Sequence, residues 1–442
     1  MSGYRKAVEY LGSFVNYERV NRYPYKKAFS LNRMKDFLRI IGNPQEGLKI
    51  IHVAGSKGKG SVCAFTAYVL RQAGFSVGLY TSPHLSDFRE RIRILRPFSA
   101  NTGLPFEGAI SRDSLARLTA FLKPAIEKFG QLSFFEVYTA LAFLHFRSKG
   151  VDFAVMETGM GGRLDATNAA ASLVCGITPL SYEHTRYLGN TLAMIAREKS
   201  GIIKKHALVI SARQPEEAAR VIRRKCAIMR ARLFTVGREI KCFARGDRFS
   251  VQGARGYYPG LKIKLLGSHQ ISNACQAVGI VEALGEHGFE VSVDCLKKGL
   301  YNTLWPGRIE VLRRNPYIVL DGAQNAASVS ALKTALRDNF KYKRIILVFG
   351  SSQDKDIKGM ARELSSLGAD IVLTCADTPR AAEPVQLKGY FASKGKNAVD
   401  VTRSVEEAFF TALHKARAED LVLVTGSLFV VGEFRDVYRK YS

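Results

Sequence analysis

Runs of contiguous aliphatic residues recur along the chain. KIIHVAG (49–55), SVGLYTS (76–82), VDFAVMET (151–158), SLVCGIT (172–178) and ALVIS (207–211) show little polar alternation, which predicts strands covered on both faces, as in a parallel sheet. Between them, GSVCAFTAYVLRQAG (60–74) and FFEVYTALAFLHFRSKG (134–150) carry helical patterns, the crossovers that parallel neighbours require. Residues 232–267 differ: they are Gly-rich with short alternating runs, consistent with a small antiparallel patch. Helices are expected at about 269–286 and 292–302.

A boundary follows at LWPGRIEVL (304–312), where Trp-Pro-Gly stops a helix and permits a turn. A second series of strands begins after it, with YIVLDG (317–322), RIILVFG (344–350), DIVLT (370–374) and DLVLVTG (420–426). The expected fold class is therefore α/β. An N-terminal domain over 1–304 has a mainly parallel sheet plus the antiparallel patch, and a smaller, Rossmann-like α/β domain covers 305–442. Two such domains on a short linker predict a ligand cleft between them.

Composition narrows the classes. With 442 residues, 47% hydrophobic and 24% charged, the chain can build sizeable cores and is not disordered as a whole. No apolar stretch reaches the roughly 18 residues of a membrane span, and MSGYRKAVEYLGSF lacks the apolar core of an export signal. The seven cysteines (63, 175, 226, 242, 275, 295 and 375) are odd in number and form no CxxC pair. They read as reduced thiols of a cytoplasmic protein. The net charge of +27 is abnormal and points to anionic ligands. Its densest clusters, 220–232 and 337–344, read as solvated faces. With no basic tail and no stacking-aromatic motif, neither nucleic acid nor membrane is expected as a partner.

The sharpest chemistry lies in IIHVAGSKGKGSVCAF (50–65). A strand ends at Ala54, Gly55, Gly58 and Gly60 punctuate a tight loop, and Lys59 and Ser61 open a helix. Glycines let backbone N–H groups approach phosphate oxygens, and the helix N-terminus adds partial positive charge. Lys59 suits terminal phosphates and the Ser61 hydroxyl suits Mg2+. The spacing is GxxGKGS rather than GxxxxGK[ST], so a plain Gly-rich turn is the competing reading. The strand–loop–helix context and the Lys-Gly-Ser ending favour a phosphate-binding loop and hence ATP as cofactor. Ser82, Glu157 and His184 each follow a strand and are candidate metal ligands at one sheet edge.

At this point the motifs match a family. HVAGSKGKGS (52–61), TSPHL (81–85), FRERIRI (88–94), ETGMGGRLDATN (157–168), EHTRYLGNTLAMIAREKSGIIK (183–204), GSHQISNA (267–274), WPGRIEVL (305–312) and LDGAQN (320–325) occur in order. In these blocks the chain resembles folylpolyglutamate synthases and the related dihydrofolate synthases of the Mur ligase superfamily. The resemblance implies an ATP-dependent amide ligase. A folate γ-carboxylate, or the acid of dihydropteroate, is phosphorylated, and the amine of L-glutamate displaces phosphate. By the same resemblance, Gly58, Lys59, Gly60 and Ser61 hold phosphates and a first Mg2+, and Ser82, Glu157 and His184 hold metal, with K+ a further candidate cation. Lys199 stands where the family carries a carbamylated lysine, and Asn273, Arg308 and Asp321 occupy its nucleotide-contacting positions. A monomer is expected.

Departures from the family pattern are equally legible. Ser56-Lys57 replaces Thr-Asn, Glu183-His184 replaces Asp-His, and Gln324 and Ala326 replace His and Pro in the DGAHNP block. Gln324 can donate to phosphate but cannot become cationic. The 96–110 segment looks longer than usual. These departures keep two alternatives open: a Mur-like ligase with another acid and amino acid, and a weakly active nucleotide-binding regulator.

Overall fold

The structure, a computed structural model, describes residues 3–18, 20, 29–97, 106–391 and 398–442. Most of the 96–110 segment lies outside these residues. The first sheet holds β1 (Ile50–Ala54), β2 (Val77–Tyr80), β3 (Ile92–Leu95), β4 (Phe153–Glu157), β5 (Ser172–Ile177), β6 (Leu208–Ser211) and β7 (Arg232–Thr235). Their spatial order is β3-β2-β4-β1-β5-β6-β7, and every pairing is parallel except β2 with β3. The contiguous apolar runs thus become strands buried along their length, as in β1, β2, β4 and β6. Successive side chains point to opposite faces. Ile51 and Val53 join the core beneath the helices Lys59–Gln72, Ser268–Leu284 and Val293–Asn302, while Ile50 joins the one beneath Leu31–Ile40, Arg112–Phe129 and Phe134–Ser148.

The helix Lys59–Gln72 is buried from Ser61 to Arg71, because other helices cover the side turned away from the sheet. One crossing is unusually close. A Cβ added at Gly299 would stand 2.5 Å from the Val69 Cα.

The antiparallel patch is smaller than expected. It consists of β8 (Lys241–Arg245), β9 (Arg248–Gln252) and β10 (Tyr257–Leu261). Residues 232–235 belong instead to the parallel sheet as β7, since the crossover helix Glu216–Ile228 returns the chain beside β6. The patch packs Phe249, Val251 and Leu261 into the core of the first sheet. This packing places Cys242 against Cys275, and the two form a disulfide. The expectation of seven reduced thiols is corrected at this pair. Cys63, Cys175, Cys226, Cys295 and Cys375 are free.

The third sheet holds β11 (Glu310–Arg314), β12 (Tyr317–Leu320), β13 (Ile345–Phe349), β14 (Asp370–Leu373), β15 (Val399–Val401) and β16 (Leu421–Thr425). Its order is β11-β12-β16-β13-β14-β15, parallel except for the β11–β12 hairpin. Helices cover both of its faces.

Several contacts join the first and third sheets' units. Leu85 packs into the core under the helix Leu428–Tyr441, where a Cβ at Gly432 would run into the Leu85 backbone. Trp305 leans its ring over Gly60. Arg380 donates to the Glu18 carbonyl and pairs with Asp354.

Candidate functional site

Four adjacent strands, β2, β4, β1 and β5, end at one edge of the first sheet, and each end carries a singled-out residue. Ser82 follows β2, Glu157 closes β4, the 55–61 loop follows β1, and the 178–184 loop follows β5. Such strand ends, at a point where the strand order reverses direction, form a crevice.

The loop is held from both sides. Pro179 O accepts from Ser56 N (3.1 Å) and Lys57 N (3.3 Å), and Ser56 Oγ donates to Ser181 O (3.1 Å). Glycine is required by proximity. At Gly58, with φ +81°, a Cβ would collide with the Asn273 side chain, and at Gly60 it would stand 2.6 Å from the Trp305 ring. The Asn273 amide, itself donating to Gln270 Oε1 (3.0 Å), is thus pressed against the loop backbone. Gly58 is the N-cap of the Lys59–Gln72 helix and carries no side chain that could cap its free N–H groups. They remain open to an anion.

Charged groups converge around this loop. Lys59 Nζ lies 3.2 Å from Gly55 O and 4.0 Å from Glu157 Oε1. Glu157 is buried, and burial raises its carboxyl despite Lys59 and the 3.1 Å hydrogen bond from Ser82 N. Lys199 is also buried, which lowers its ammonium. Its Nζ donates to Gly55 O and to Glu183 Oε1, both at 2.7 Å. Burial would raise the Glu183 carboxyl, but Lys199 and then Lys59 outweigh it and hold it at about 2. His184 is exposed, with Glu183, Lys355, Lys199 and Lys59 as its charged neighbours. Ser61 is buried at the first turn of its helix.

The third sheet's unit brings Asn325 to Lys57 of the loop and Arg308 within electrostatic reach of Glu157, with Asp321 beside Arg308. Asp321 accepts from Ile309 N (3.0 Å) and Ala323 N (2.9 Å), and burial raises it. Arg308 is close enough to lower both Asp321 and Glu157 electrostatically. Gln324 is different: it is exposed, and among the described residues its backbone N–H donates to Ser328 Oγ at 3.2 Å. Trp305 and Arg308 also line a cavity of about 750 Å³ with Ser268, Ile271 and Tyr301.

Ser82, Glu157, Lys199, Lys59 and Asn273 are therefore brought together at the loop with His184 in electrostatic reach, and Gln324 stands exposed beside Asn325. The residue reading missed Asn325, whose side chain accepts from the Lys57 ammonium across the cleft. A signal was present, since Asn325 stands just before a helical run as an N-cap, with Ser328 completing a capping box.

Oxygen donors here suit a small hard cation. Glu157, Ser61 and Ser82 supply carboxylate and hydroxyl oxygens, and the buried Thr158, Thr178 and Ser181 hydroxyl oxygens lack partners among the described residues. No three His, Cys, Asp or Glu side chains among the described residues converge into a metal cage, but Mg2+ requires only one or two carboxylates beside water and phosphate.

Comparison with known proteins gives two family matches: the Mur ligase middle domain over residues 122–281 and the Mur ligase glutamate ligase domain over residues 307–428. A dihydrofolate synthase/folylpolyglutamate synthase of Bacillus subtilis is 33% identical over 92% of this chain and 94% of its own. A probable bifunctional folylpolyglutamate synthase/dihydropteroate synthase of Halobacterium salinarum is 36% identical over 90% of this chain. The chain spans 48% of that relative's length. The structure of Escherichia coli FolC in complex with DHPP and ADP matches with a TM-score of 0.85 at 27% identity, covering 99% of this chain and 98% of that one.

Proposed function

Because the chain belongs to the folylpolyglutamate synthase/dihydrofolate synthase family of Mur ligases, we propose that it is an ATP-dependent amide ligase that joins L-glutamate to the γ-carboxylate of a folate or to dihydropteroate. The observation that carries this reading is the convergence of Lys59, Glu157 and the Lys199–Glu183 pair on one open-ended phosphate loop. The E. coli relative, which holds DHPP and ADP together, supports the substrate class. ATP phosphates take the free N–H groups at Gly58–Ser61, and Lys59 and Arg308 neutralise charge that builds on the transferring phosphoryl group. The base enters the cavity lined by Trp305, Arg308 and Tyr301, with the Trp305 ring resting on Gly60 of the loop. The substrate carboxylate attacks the γ-phosphorus and ADP leaves. The glutamate amine then attacks the acyl carbon of the acyl phosphate, and phosphate and a proton leave.

Glu157, Ser61, Ser82 and His184 would hold Mg2+, which supplies charge neutralisation at the phosphate oxygens. Lys199 is proposed to react with CO2, with loss of a proton, to a carbamate. Its burial works toward the loss of the ammonium proton that this reaction needs, against the pull of the Glu183 carboxylate. The division into 1–304 and 305–442 fits the sheets, the first two lying before the Trp305 turn and the third after it.

Kinetics test the reading. Purified protein with ATP, Mg2+, L-glutamate and either tetrahydrofolate or dihydropteroate is expected to yield ADP and a glutamylated product. Absence of acid-dependent phosphate release ends it. Gln324, exposed where the family usually has His, motivates the alternative of another acid and amino acid, and a panel of such pairs separates the two.

A further inference from the structure

The phosphate loop carries a second lysine whose surroundings differ from those of Lys59. Lys57 follows Ser56 in the tight turn, and its backbone N–H is pinned to Pro179 O at 3.3 Å. Its side chain crosses the cleft and donates to Asn325 Oδ1, in the unit built on the third sheet. Asn325 Oδ1 has other donors as well: Ser328 N at 3.0 Å and Ser328 Oγ at 3.0 Å. It caps the helix Ala326–Asn339. Lys57 is partly buried, with Glu183 and Lys355 as its charged neighbours.

An ammonium prefers an anionic oxygen to a neutral amide oxygen, because charge-assisted hydrogen bonds are roughly twice as strong. The open N–H groups of Gly58–Ser61 lie directly after Lys57 in the same loop. A phosphate seated there offers Lys57 the better partner, and Asn325 keeps its capping role without it. From this geometry we propose that Lys57 is a transferable latch. With the loop empty it ties the Ala326–Asn339 helix to the loop, and a nucleotide phosphate draws its ammonium away from Asn325 and releases that tie. The proposal rests on the loop being the nucleotide site. It adds a residue whose competing partner is built into the other domain.

The latch makes a signed forecast, because Asn325 and phosphate compete for one cation. Asn325→Ser removes the competing amide, while serine remains a good N-cap. It is expected to tighten ADP binding about three- to tenfold, the range that corresponds to the net worth of one ordinary hydrogen bond. Lys57→Met is expected to weaken ADP binding by a similar factor. In the Lys57→Met background, Asn325→Ser is expected to have no effect, so the pair fails additivity. The measurement is isothermal titration calorimetry of the full chain with ADP and Mg2+, with no acid or amine present, and circular dichroism melts verify folding of each variant. Unchanged or weakened binding in Asn325→Ser overturns the latch, as does an equal Asn325→Ser effect in both backgrounds. If the unaltered protein binds no ADP, the nucleotide site itself is wrong, an outcome distinct from a failed latch.

Discussion

Lys59 is the residue on which phosphate chemistry depends most directly. It is held by Gly55 O and balanced by Glu157 at 4.0 Å, so it points its charge at the loop instead of at solvent. Lys59→Ala is expected to lower kcat by about 100-fold or more, as loss of a positioned charge-stabilising donor does, and steady-state ADP release checks it. A second residue gives a pH signature far from the loop. Glu433 accepts the Asp377 N–H at 2.8 Å, and burial, with Asp377 and Asp436 nearby, pushes its carboxyl up to about 7. Its folded pKa lies above the unfolded value, so its contribution is complete below about 4.5 and is lost as pH rises through about 7. Glu433→Gln is therefore expected to gain about 1 kcal/mol relative to the unaltered protein at pH 8 and nothing at pH 4, the gain being discounted for partial solvation. Urea titrations at the two pH values read the difference.

At the scale of elements, the helix Lys59–Gln72 is fixed by how closely its neighbour approaches. Gly299 places backbone against backbone at Val69, so Gly299→Val cannot be absorbed by a rotamer change. A loss of about 3 kcal/mol or more is expected, at the upper end of overpacking costs, measured by chemical denaturation. The same scale explains what was legible in the sequence. Contiguous apolar runs disclosed the buried parallel strands β1, β2, β4, β5, β6, β12, β13, β14 and β16. The edge strands β3, β7, β11 and β15 were harder: they are short, partly exposed or antiparallel, and their pairing depends on partners distant in sequence. The phosphate loop was legible because glycine, lysine and serine act at local spacing. Its grouping with Ser82, Glu157 and His184 followed from strand ends sharing an edge. The Lys57–Asn325 bond joins residues 268 apart, and the Cys242–Cys275 pairing depends on how the patch lies over a helix. No local pattern encodes either contact.

For the whole molecule, charge is the governing quantity. A net +27 repels itself in the compact state, while many ion pairs, such as Arg5–Glu9 and Arg39–Asp36, are solvent-exposed and contribute little. Relief of repulsion outweighs loss of these pairs, so Tm is expected to rise between about 10 and 150 mM salt, as the Debye length shrinks from roughly 30 to 8 Å. A scan of thermal unfolding against ionic strength decides it. A fall in Tm would show that paired charges dominate. At this scale the placement of Trp305 also has a use. It is the one tryptophan in the chain, and its ring rests on Gly60 where the two large units meet. The protein thus carries a native optical reporter at its joint. Ultraviolet emission from unlabelled material should change colour or intensity as ADP is titrated in, giving binding curves without dyes or a coupled assay.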